Sequence, residues 1–196
     1  MAAEERFINA IEQFDAANKE DPNTEEWQGK NYPKELLYAI RMTEKLNEFA
    51  PTASEALQLA ARCQHIQRWK IPRDTYEKGR KGYLRWRQDL QKFHVEKASA
   101  ILKEVGYEQE VIDQVAFLLQ KKQLHKNEET QTLEDVICLV FLEYYFEDFA
   151  AKHPEEKQLD VLRKTWRKMS TKGHEAALQL PLSKQSRETI SKAIQE

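Results

Sequence analysis

The amino-acid sequence predicts a single all-α domain, a helical bundle, and three observations support that prediction. Apolar residues recur at helical spacing along most of the chain, the 196 residues include only five glycines and six prolines, and we find no convincing strand pattern. A hydrophobic fraction of 40% and a charged fraction of 33% are typical of a folded, soluble protein rather than a disordered chain.

The first half of the chain predicts four helices. Phe7 and Phe14 belong to an apolar stripe, and Pro33 is suited to the first helical position after the polar loop DPNTEEWQGKNYP. Thr52 and Glu55 have the spacing of a capping box, and Gly106 is suited to end a long helix. We expect these helices at about residues 4–19, 33–49, 52–69 and 83–105.

The second half continues the pattern with a helix at about residues 108–122. Thr132 is suited to cap a helix over about 133–152, whose middle, VICLVFL, is apolar on all sides and predicts a buried central helix. Pro154 opens a charged helix to about Ser170, and two short helical pieces follow. We therefore expect one domain over residues 1–196, with a core at about 33–152 on which the helices of 154–195 pack.

The net charge of −2 conceals a local excess of positive charge. Residues 62–92 carry +7 and the rest of the chain −9. Charge asymmetry within a neutral protein indicates where partners bind, so we expect an anionic partner at this segment. Its ten cations are Arg62, Arg68, Lys70, Arg73, Lys78, Arg80, Lys81, Arg85, Arg87 and Lys92.

Several classes of protein are excluded by what the sequence lacks. Two cysteines, Cys63 and Cys138, are too few for a disulfide framework or a cysteine-based zinc site and favour a cytoplasmic protein. No stretch approaches the roughly 18 apolar residues of a membrane span, so no membrane partner is expected. Glycine-rich phosphate loops, His-Glu-x-x-His, Gly-x-Ser-x-Gly and dinucleotide fingerprints are also absent.

Polar residues on the predicted long helix indicate a pocket. His94 falls on the apolar face of this helix, and Tyr83 and Arg87 fall on the same face. An imidazole, a guanidinium and a phenol on one core-facing stripe would line a polar pocket. A core histidine that is hydrogen-bonded to a neighbour is the alternative for His94.

Two further residues invite a functional interpretation. Asp135 falls on the apolar face of the predicted central helix, where a carboxylate requires a cation, a metal ion or strong hydrogen bonds. His65 belongs to the run RCQHIQRWKIPR, whose arginine and tryptophan side chains are suited to grip an anion and to stack on a ring. A solvated helix face is the alternative for His65.

The order of these residues resembles that of the HD-domain phosphohydrolases over residues 38–139. The family's segment with the His-Asp pair is similar to LAARCQHIQRW. Its next helix pair is similar to FHVEKASAILKEVGYEQEVIDQV, and its segment with the last acidic ligand is similar to LEDVICLVFLE. The resemblance implies an HD-like helical fold and one divalent metal ion, with His65, His94 and Asp135 at ligand positions.

Two of the four ligand positions of that family hold other residues here. Ile66 stands where the family has the aspartate of the pair, and no histidine stands near Leu37–Tyr38, where the family has its first one. The metal site is therefore expected to be remodelled.

The whole chain also resembles a family of domain-of-unknown-function proteins that carries a glutamyl-tRNA-synthetase-like label. The similar phrases are RCQHIQRWKIPR, GYLRWR and LEDVICLVFLEYYFEDF. The sequence has no motif for adenylate chemistry, so we do not expect synthetase activity.

The leading hypothesis is an HD-like domain that binds a phosphate-bearing or otherwise anionic small molecule, such as a nucleotide, and hydrolyses a phosphoester if it is an enzyme. His65 and His94 would be acid–base groups or, with Asp135, ligands of the metal ion. The expected ligand-binding residues are Arg68, Trp69, Arg73, Tyr83, Trp86 and Arg87.

Two alternatives belong to other classes. A non-catalytic RNA- or tRNA-associated module would use the basic segment 62–92 as a convex face. A helical interaction protein would have purely structural histidines at positions 65 and 94.

Overall fold

The computed structural model describes residues 3–195, which form ten α-helices and one two-stranded antiparallel hairpin. The prediction of a mainly helical protein is therefore confirmed. Their contacts group them into two compact units: the described part of residues 1–44 with 52–122, and residues 45–51 with the described part of 123–196. This grouping does not decide the prediction of one domain with a core at 33–152, which stays a prediction.

The helices and strands follow one another in a simple order. They are α1 (Ala3–Lys19), β1 (Thr24–Trp27), β2 (Lys30–Pro33), α2 (Lys34–Phe49), α3 (Glu55–Cys63), α4 (Arg80–Val105), α5 (Gln109–Leu119), α6 (Glu128–Val140), α7 (Phe146–Ala151), α8 (Glu155–Trp166), α9 (Thr171–Leu178) and α10 (Lys184–Gln195).

The hairpin corrects the prediction of a plain loop before α2. Its strands are only four residues long and half exposed, so they show no apolar alternation. Gln28 and Gly29 both have positive φ, as the tight two-residue turns of hairpins require. The ring of Trp27 contacts that of Tyr32 edge to face at 5.9 Å, which joins the two strands.

Helix α3 is shorter than predicted at both ends. Its N-cap is Ser54, whose Oγ accepts a hydrogen bond from the Leu57 amide at 3.2 Å, and not Thr52. The helix stops at Cys63, and the turn that follows contains Gln67, which adopts a left-handed conformation with φ 50°. The Gln67 amide donates to Asn18 Oδ1 at 2.9 Å, which holds this break in place. His65 therefore lies in a turn after the helix and not on a helix face.

The first unit is built around the apolar side of α4. The buried stripe of this helix begins at Gly82 and includes Trp86, Leu90 and His94, and it lies against α1 and α5. The helix ends at Gly106, which has φ 90°, as its sequence predicts. Phe14 and Leu37 are fully buried in the same unit.

In the second unit, the predicted central helix begins earlier and is not uniform. Asn127 caps α6 by accepting a hydrogen bond from the Thr130 amide at 2.9 Å, so Thr132 is not the cap. Residues 141–145 form a π-helical stretch that joins α6 to α7. Most of the VICLVFL run is buried, as predicted, with Ile137 and Phe141 half-buried.

The C-terminal helices belong to this second unit. Helix α8 starts directly after Pro154 and packs against α10, while α9 packs against α6.

The nearly buried Lys45 forms ion pairs with Glu143 at 2.7 Å and Glu48 at 2.6 Å. Within residues 3–195, no helix is long and apolar enough to cross a membrane.

Candidate functional site

The turn after α3 places His65 at the centre of a cluster of polar side chains in the first unit. Its side chain is 22% exposed, whereas its neighbours Ile66 and Gln67 are buried. The left-handed break at Gln67 lets the chain leave α3 and bring Arg68 back beside His65.

Arg68 contacts the imidazole directly and rests on a buried tryptophan. Arg68 Nη1 lies 3.0 Å from His65 Nε2 and 3.4 Å from Nδ1. The guanidinium carbon lies 5.1 Å from the centre of the Trp86 ring, a cation–π arrangement. Trp86 Nε1 donates to the Ile71 carbonyl at 2.9 Å, so the indole that supports Arg68 is itself fixed.

Helix α2 supplies the other side of the cluster. Glu35 Oε2 lies 3.6 Å from His65 Nδ1, and the Glu35 side chain is only 10% exposed. The ring of Tyr38, one turn further along, is stacked on the imidazole at 4.2 Å. The Glu35 amide donates to Asp21 Oδ2 at 3.0 Å, which anchors the start of α2.

His94 forms the floor of the cluster from α4. It is buried, its ring lies 5.9 Å from that of His65, and Nδ1 lies 2.9 Å from the Ile66 carbonyl oxygen. A carbonyl only accepts hydrogen bonds, so Nδ1 carries the proton and Nε2 is the unprotonated nitrogen. His94 is thus both a core histidine and a neighbour of the site.

Burial and the neighbouring cations set the protonation of these groups. Burial, together with the charges of Arg68, Lys121 and Arg87, holds the pKa of His65 well below its usual value. Burial and the nearby His65 lower the pKa of His94 to about 3, although its bond to the Ile66 carbonyl opposes the change. Burial raises the pKa of Glu35 to about 7 despite the attraction of Arg68. Near neutral pH, both imidazoles are neutral and Glu35 is about half ionised.

The contacts favour one tautomer of His65, the one with the proton on Nδ1. A guanidinium has no acceptor, and Nε2 is the ring nitrogen nearer to Arg68 Nη1, at 3.0 Å against 3.4 Å for Nδ1, which favours the lone pair on Nε2 and the proton on Nδ1. Nδ1–H then faces the carboxyl group of Glu35. In this tautomer, the lone pair of Nε2 is directed toward Arg68.

Some predicted ligand-binding residues have other partners. Arg73 donates to the carbonyls of Tyr76 at 3.1 Å and Glu77 at 3.0 Å and so shapes the basic loop. Tyr83 and Arg87 are exposed and contact each other, with Nη1 of Arg87 3.2 Å from the tyrosine hydroxyl. Both lie outside the buried stripe of α4, so the expectation that they face the core is wrong. Trp69 is half-buried in a short 3₁₀ turn, Arg68–Lys70.

Asp135 lies in the second unit and is satisfied by hydrogen bonds. Ser170 donates to its carboxylate from the amide at 2.8 Å and from Oγ at 2.6 Å, and Gln131 Nε2 donates at 3.1 Å. The sequence allows a cation, a metal ion or strong hydrogen bonds as partners of this carboxylate, and the structure shows strong hydrogen bonds. A Cβ at Gly173 would lie 2.6 Å from Asp135 Oδ1, so this glycine makes room for the carboxylate.

The side chains present do not fit the divalent cation that the HD resemblance implies. His65 Nε2 faces a guanidinium, and the surrounding positive charge would repel a metal ion. Both oxygens of Asp135 already accept hydrogen bonds. Throughout residues 3–195, no three His, Cys, Asp or Glu side chains are grouped so that they could hold a metal ion.

Sequence reasoning missed two members of the cluster, Glu35 and Tyr38. The ring of Tyr38 stacks on His65 at 4.2 Å, near the position where the HD resemblance leads one to expect a histidine. Glu35 had a weak signal, because an acid in the first turn of a helix is ordinary on electrostatic grounds. Only the tertiary contact with His65 distinguishes Glu35 from other acidic residues in the first turn of a helix.

Comparison with known proteins gives one match. The model of a family described as a domain of unknown function, DUF4202, matches residues 8–190, which is most of the chain. No curated protein and no solved structure matches the chain.

Proposed function

The chain belongs to the DUF4202 family, and we propose that it binds a small phosphate-bearing or otherwise anionic molecule at the cluster of Glu35, His65, Arg68 and His94. The observation that carries the proposal is the guanidinium of Arg68, 3.0 Å from a neutral imidazole on a half-buried surface. This group is permanently charged and lies where a ligand can reach it.

The electrostatics of the cluster favour an anion over a cation. The charges of Arg68, Lys121 and Arg87 all act on His65 and disfavour its protonation. The two imidazoles add no charge near neutral pH, and Glu35 is only partly ionised. An incoming anion would therefore meet a positive potential, and it could replace the weak contact between Arg68 and His65 by a charge-assisted hydrogen bond.

The Glu35–His65 pair supports hydrolysis of a phosphoester as the reaction. When an anion draws Arg68 away from Nε2, His65 would present this nitrogen as a base for an attacking water, with the carboxyl group of Glu35 3.6 Å from Nδ1. The water oxygen would bond to phosphorus, the ester oxygen would leave, and the water proton would pass to Nε2. The resemblance to HD-domain phosphohydrolases supports the same reaction class, although this route uses no metal ion.

Calorimetric titration with sulfate, pyrophosphate and a nucleoside monophosphate tests the binding. The Arg68→Gln variant should lose at least tenfold in affinity, while Arg68→Lys should lie between it and the wild type, because lysine keeps the charge but not the planar fork. Lys103→Gln, an exposed cation near the other end of α4, is the matched control and should change affinity less than twofold. Equal affinity in wild type and Arg68→Gln would refute the proposal.

Hydrolysis is tested separately with a chromogenic phosphoester. The His65→Ala variant should lose about 100-fold in kcat/KM, the lower end of the range that one general base contributes. Glu35→Gln should flatten the dependence of kcat/KM on pH near 7. If wild-type protein binds the anions but His65→Ala hydrolyses the ester as fast as wild type, the hydrolytic part of the proposal is wrong and the binding part stands.

A further inference from the structure

The second unit contains a cavity that the polar cluster does not use. Its volume is about 380 Å³, which is within the range of sites that hold small molecules. The end of α2, the end of α6, and α9 with the two residues after it supply its walls, and all of the lining residues belong to the second unit. We call this space the α9 cavity.

Part of the lining of the α9 cavity is apolar. Phe49 from α2, Leu139 from α6 and Leu180 after α9 are buried residues, and all three line the cavity. An apolar group that enters the cavity would contact these side chains and leave water, which favours binding. A ligand of this cavity therefore has an apolar part.

Two lysines line the same cavity and can donate to an anionic group. The nearly buried Lys45 donates to Glu48 Oε2 at 2.6 Å and pairs with Glu143 at 2.7 Å. An ammonium group has three N–H bonds, and residues 3–195 offer Lys45 no third partner, so one N–H is left for a ligand. Lys172 Nζ donates to the Phe49 carbonyl at 2.8 Å and lies 4.3 Å from the centre of the Phe49 ring, which holds this second cation at the cavity.

Two carboxylates, Glu48 and Glu175, line the cavity as well. Both are exposed, the Glu48 side chain to 71%, so a ligand can reach them. The less exposed Glu143 stays beside Lys45 if Glu48 turns toward a ligand. Although burial opposes it, the hydrogen bonds from Glu143 and Glu48 hold the pKa of Lys45 above its usual value. The lining thus presents two positive and two negative groups beside its apolar part.

The walls of the cavity are held in place. Helix α9 is fixed to α6 because Ser170 donates to Asp135 from its amide and its hydroxyl, and because Gly173 packs directly on that carboxylate. A fixed site loses little entropy when a ligand binds. Residues 141–145, just after Leu139, are π-helical, and such turns occur frequently at functional sites.

We propose that the α9 cavity binds a free α-amino acid with an apolar side chain. The carboxylate of the ligand would accept hydrogen bonds from Lys45 and Lys172, and its ammonium group would donate to Glu48 or Glu175. Its side chain would lie against Leu139 and the other apolar residues of the lining. A carboxylic acid without an amino group would leave the glutamates without a ligand partner, and an amine would do the same to the lysines.

Calorimetric titration with L-leucine and L-phenylalanine tests the proposal. Leucinamide lacks the carboxylate and 4-methylpentanoate lacks the ammonium group, so each should bind about tenfold more weakly than leucine. If 4-methylpentanoate or leucinamide binds as tightly as leucine, the cavity does not recognise an amino acid. No binding of either amino acid up to about 10 mM would overturn the proposal altogether.

Two variants of exposed residues on α9 place the binding in this cavity. Lys172→Gln should weaken leucine and 4-methylpentanoate alike, whereas Glu175→Gln should weaken leucine alone, each by about tenfold. Lys126→Gln, an exposed cation before α6, is the matched control and should bind like wild type. Thermal unfolding confirms that the variants are folded, and unchanged affinity for leucine in both α9 variants would overturn the proposal.

The α9 cavity and the polar cluster can be tested independently, because they share no residue. Lys172→Gln should keep wild-type affinity for sulfate, and Arg68→Gln should keep wild-type affinity for leucine. Failure of the amino-acid proposal therefore leaves the proposed function intact. Loss of leucine binding in Arg68→Gln would place leucine at the polar cluster and would contradict the proposal.

Discussion

Glu35 shows how one buried carboxyl group ties stability to the chemistry of the cluster. Burial raises its pKa from 4.5 to about 7, so the folded state prefers the protonated form. The resulting stabilisation is fully present below pH 4.5 and is lost as the pH rises through about 7. A group that weakens the fold when it ionises, and that also faces a reactive imidazole, is typical of functional sites.

The first prediction concerns the Glu35→Gln variant. Glutamine cannot ionise, so its stability relative to wild type should increase by roughly 2–3 kcal/mol between pH 5 and pH 8. Urea unfolding at both pH values measures this difference. Glu96→Gln, an exposed carboxyl on α4, should show no such change, and a pH-independent difference for Glu35→Gln would contradict the raised pKa.

His94 has the opposite dependence on pH. Its pKa is lowered from 6.5 to about 3, so its stabilising contribution is present above pH 6.5 and is lost as the pH falls toward 3. Asparagine can keep the bond to the Ile66 carbonyl through its amide nitrogen and cannot be protonated. We expect His94→Asn to lose roughly 2–3 kcal/mol less stability than wild type between pH 7 and pH 4.

Chemical denaturation across that pH range tests this second prediction. The exposed His125, replaced by asparagine, serves as the control and should behave like wild type. If His94→Asn loses stability on acidification as steeply as wild type, His94 is not held neutral by the fold.

Gly173 is the residue on which the burial of Asp135 depends. The glycine leaves space for the carboxylate that caps the start of α9 through Ser170. Alanine would meet Asp135 Oδ1 at 2.6 Å and should cost roughly 1–3 kcal/mol in the free energy of unfolding. Thr171→Ala on the same helix should change it by less than about 0.5 kcal/mol. A neutral Gly173→Ala would show that the carboxylate can move away freely.

At the scale of elements, local sequence predicted the helices and the end of α4 well, but the N-caps of α3 and α6 poorly. The start of α6 illustrates the reason, since Asn127 and Thr132 are both residues that cap helices. Only the structure shows that Asn127 accepts from the Thr130 amide, whereas the Thr132 hydroxyl donates to the Glu128 carbonyl at 2.8 Å inside the helix. Sequence alone could not choose between them, because the acids that follow Asn127 extend the helix by one turn.

The two candidate caps make a direct prediction. Asn127→Ala should lower the free energy of unfolding by about 1 kcal/mol, because the Thr130 amide loses its acceptor. Thr132→Ala should be neutral or slightly stabilising, since alanine is the better helix former and the hydroxyl is exposed. Thermal unfolding of the two variants measures both effects. If Thr132→Ala were the less stable of the two, Thr132 would be the cap, as the sequence predicts.

At the scale of the whole molecule, periodicity was sufficient for the helical class but not for the hairpin or the site. The hairpin was missed because its four-residue strands bury too little apolar surface to alternate. Residue type and order along the chain were sufficient to identify three candidate site residues, His65, Arg68 and His94. Glu35 could not, since residues 35 and 65 are joined only by tertiary packing. Asp135 was selected correctly as buried, but its partners Ser170 and Gln131 gave no signal in the sequence.

The net charge of the whole chain concealed the distribution that matters. Of the ten cations in residues 62–92, Arg62 is held by Asp15 at 2.6 Å and Arg73 by loop carbonyls. Arg68 belongs to the polar cluster, whereas Lys81, Arg85 and Lys92 are exposed on α4. The positive charge of this segment is therefore divided among structural contacts, the polar cluster and the exposed side of α4.

The most direct test of the anion site is an NMR titration of the His65 imidazole with sulfate, whose charge is constant between pH 6 and pH 8. A sulfate bound at Arg68 would offset the positive potential on His65, so its ring signals should shift and its pKa should rise. The signals of the exposed His125 should not move beyond the effect of chloride at equal ionic strength. Unchanged His65 signals at saturating sulfate would contradict the account.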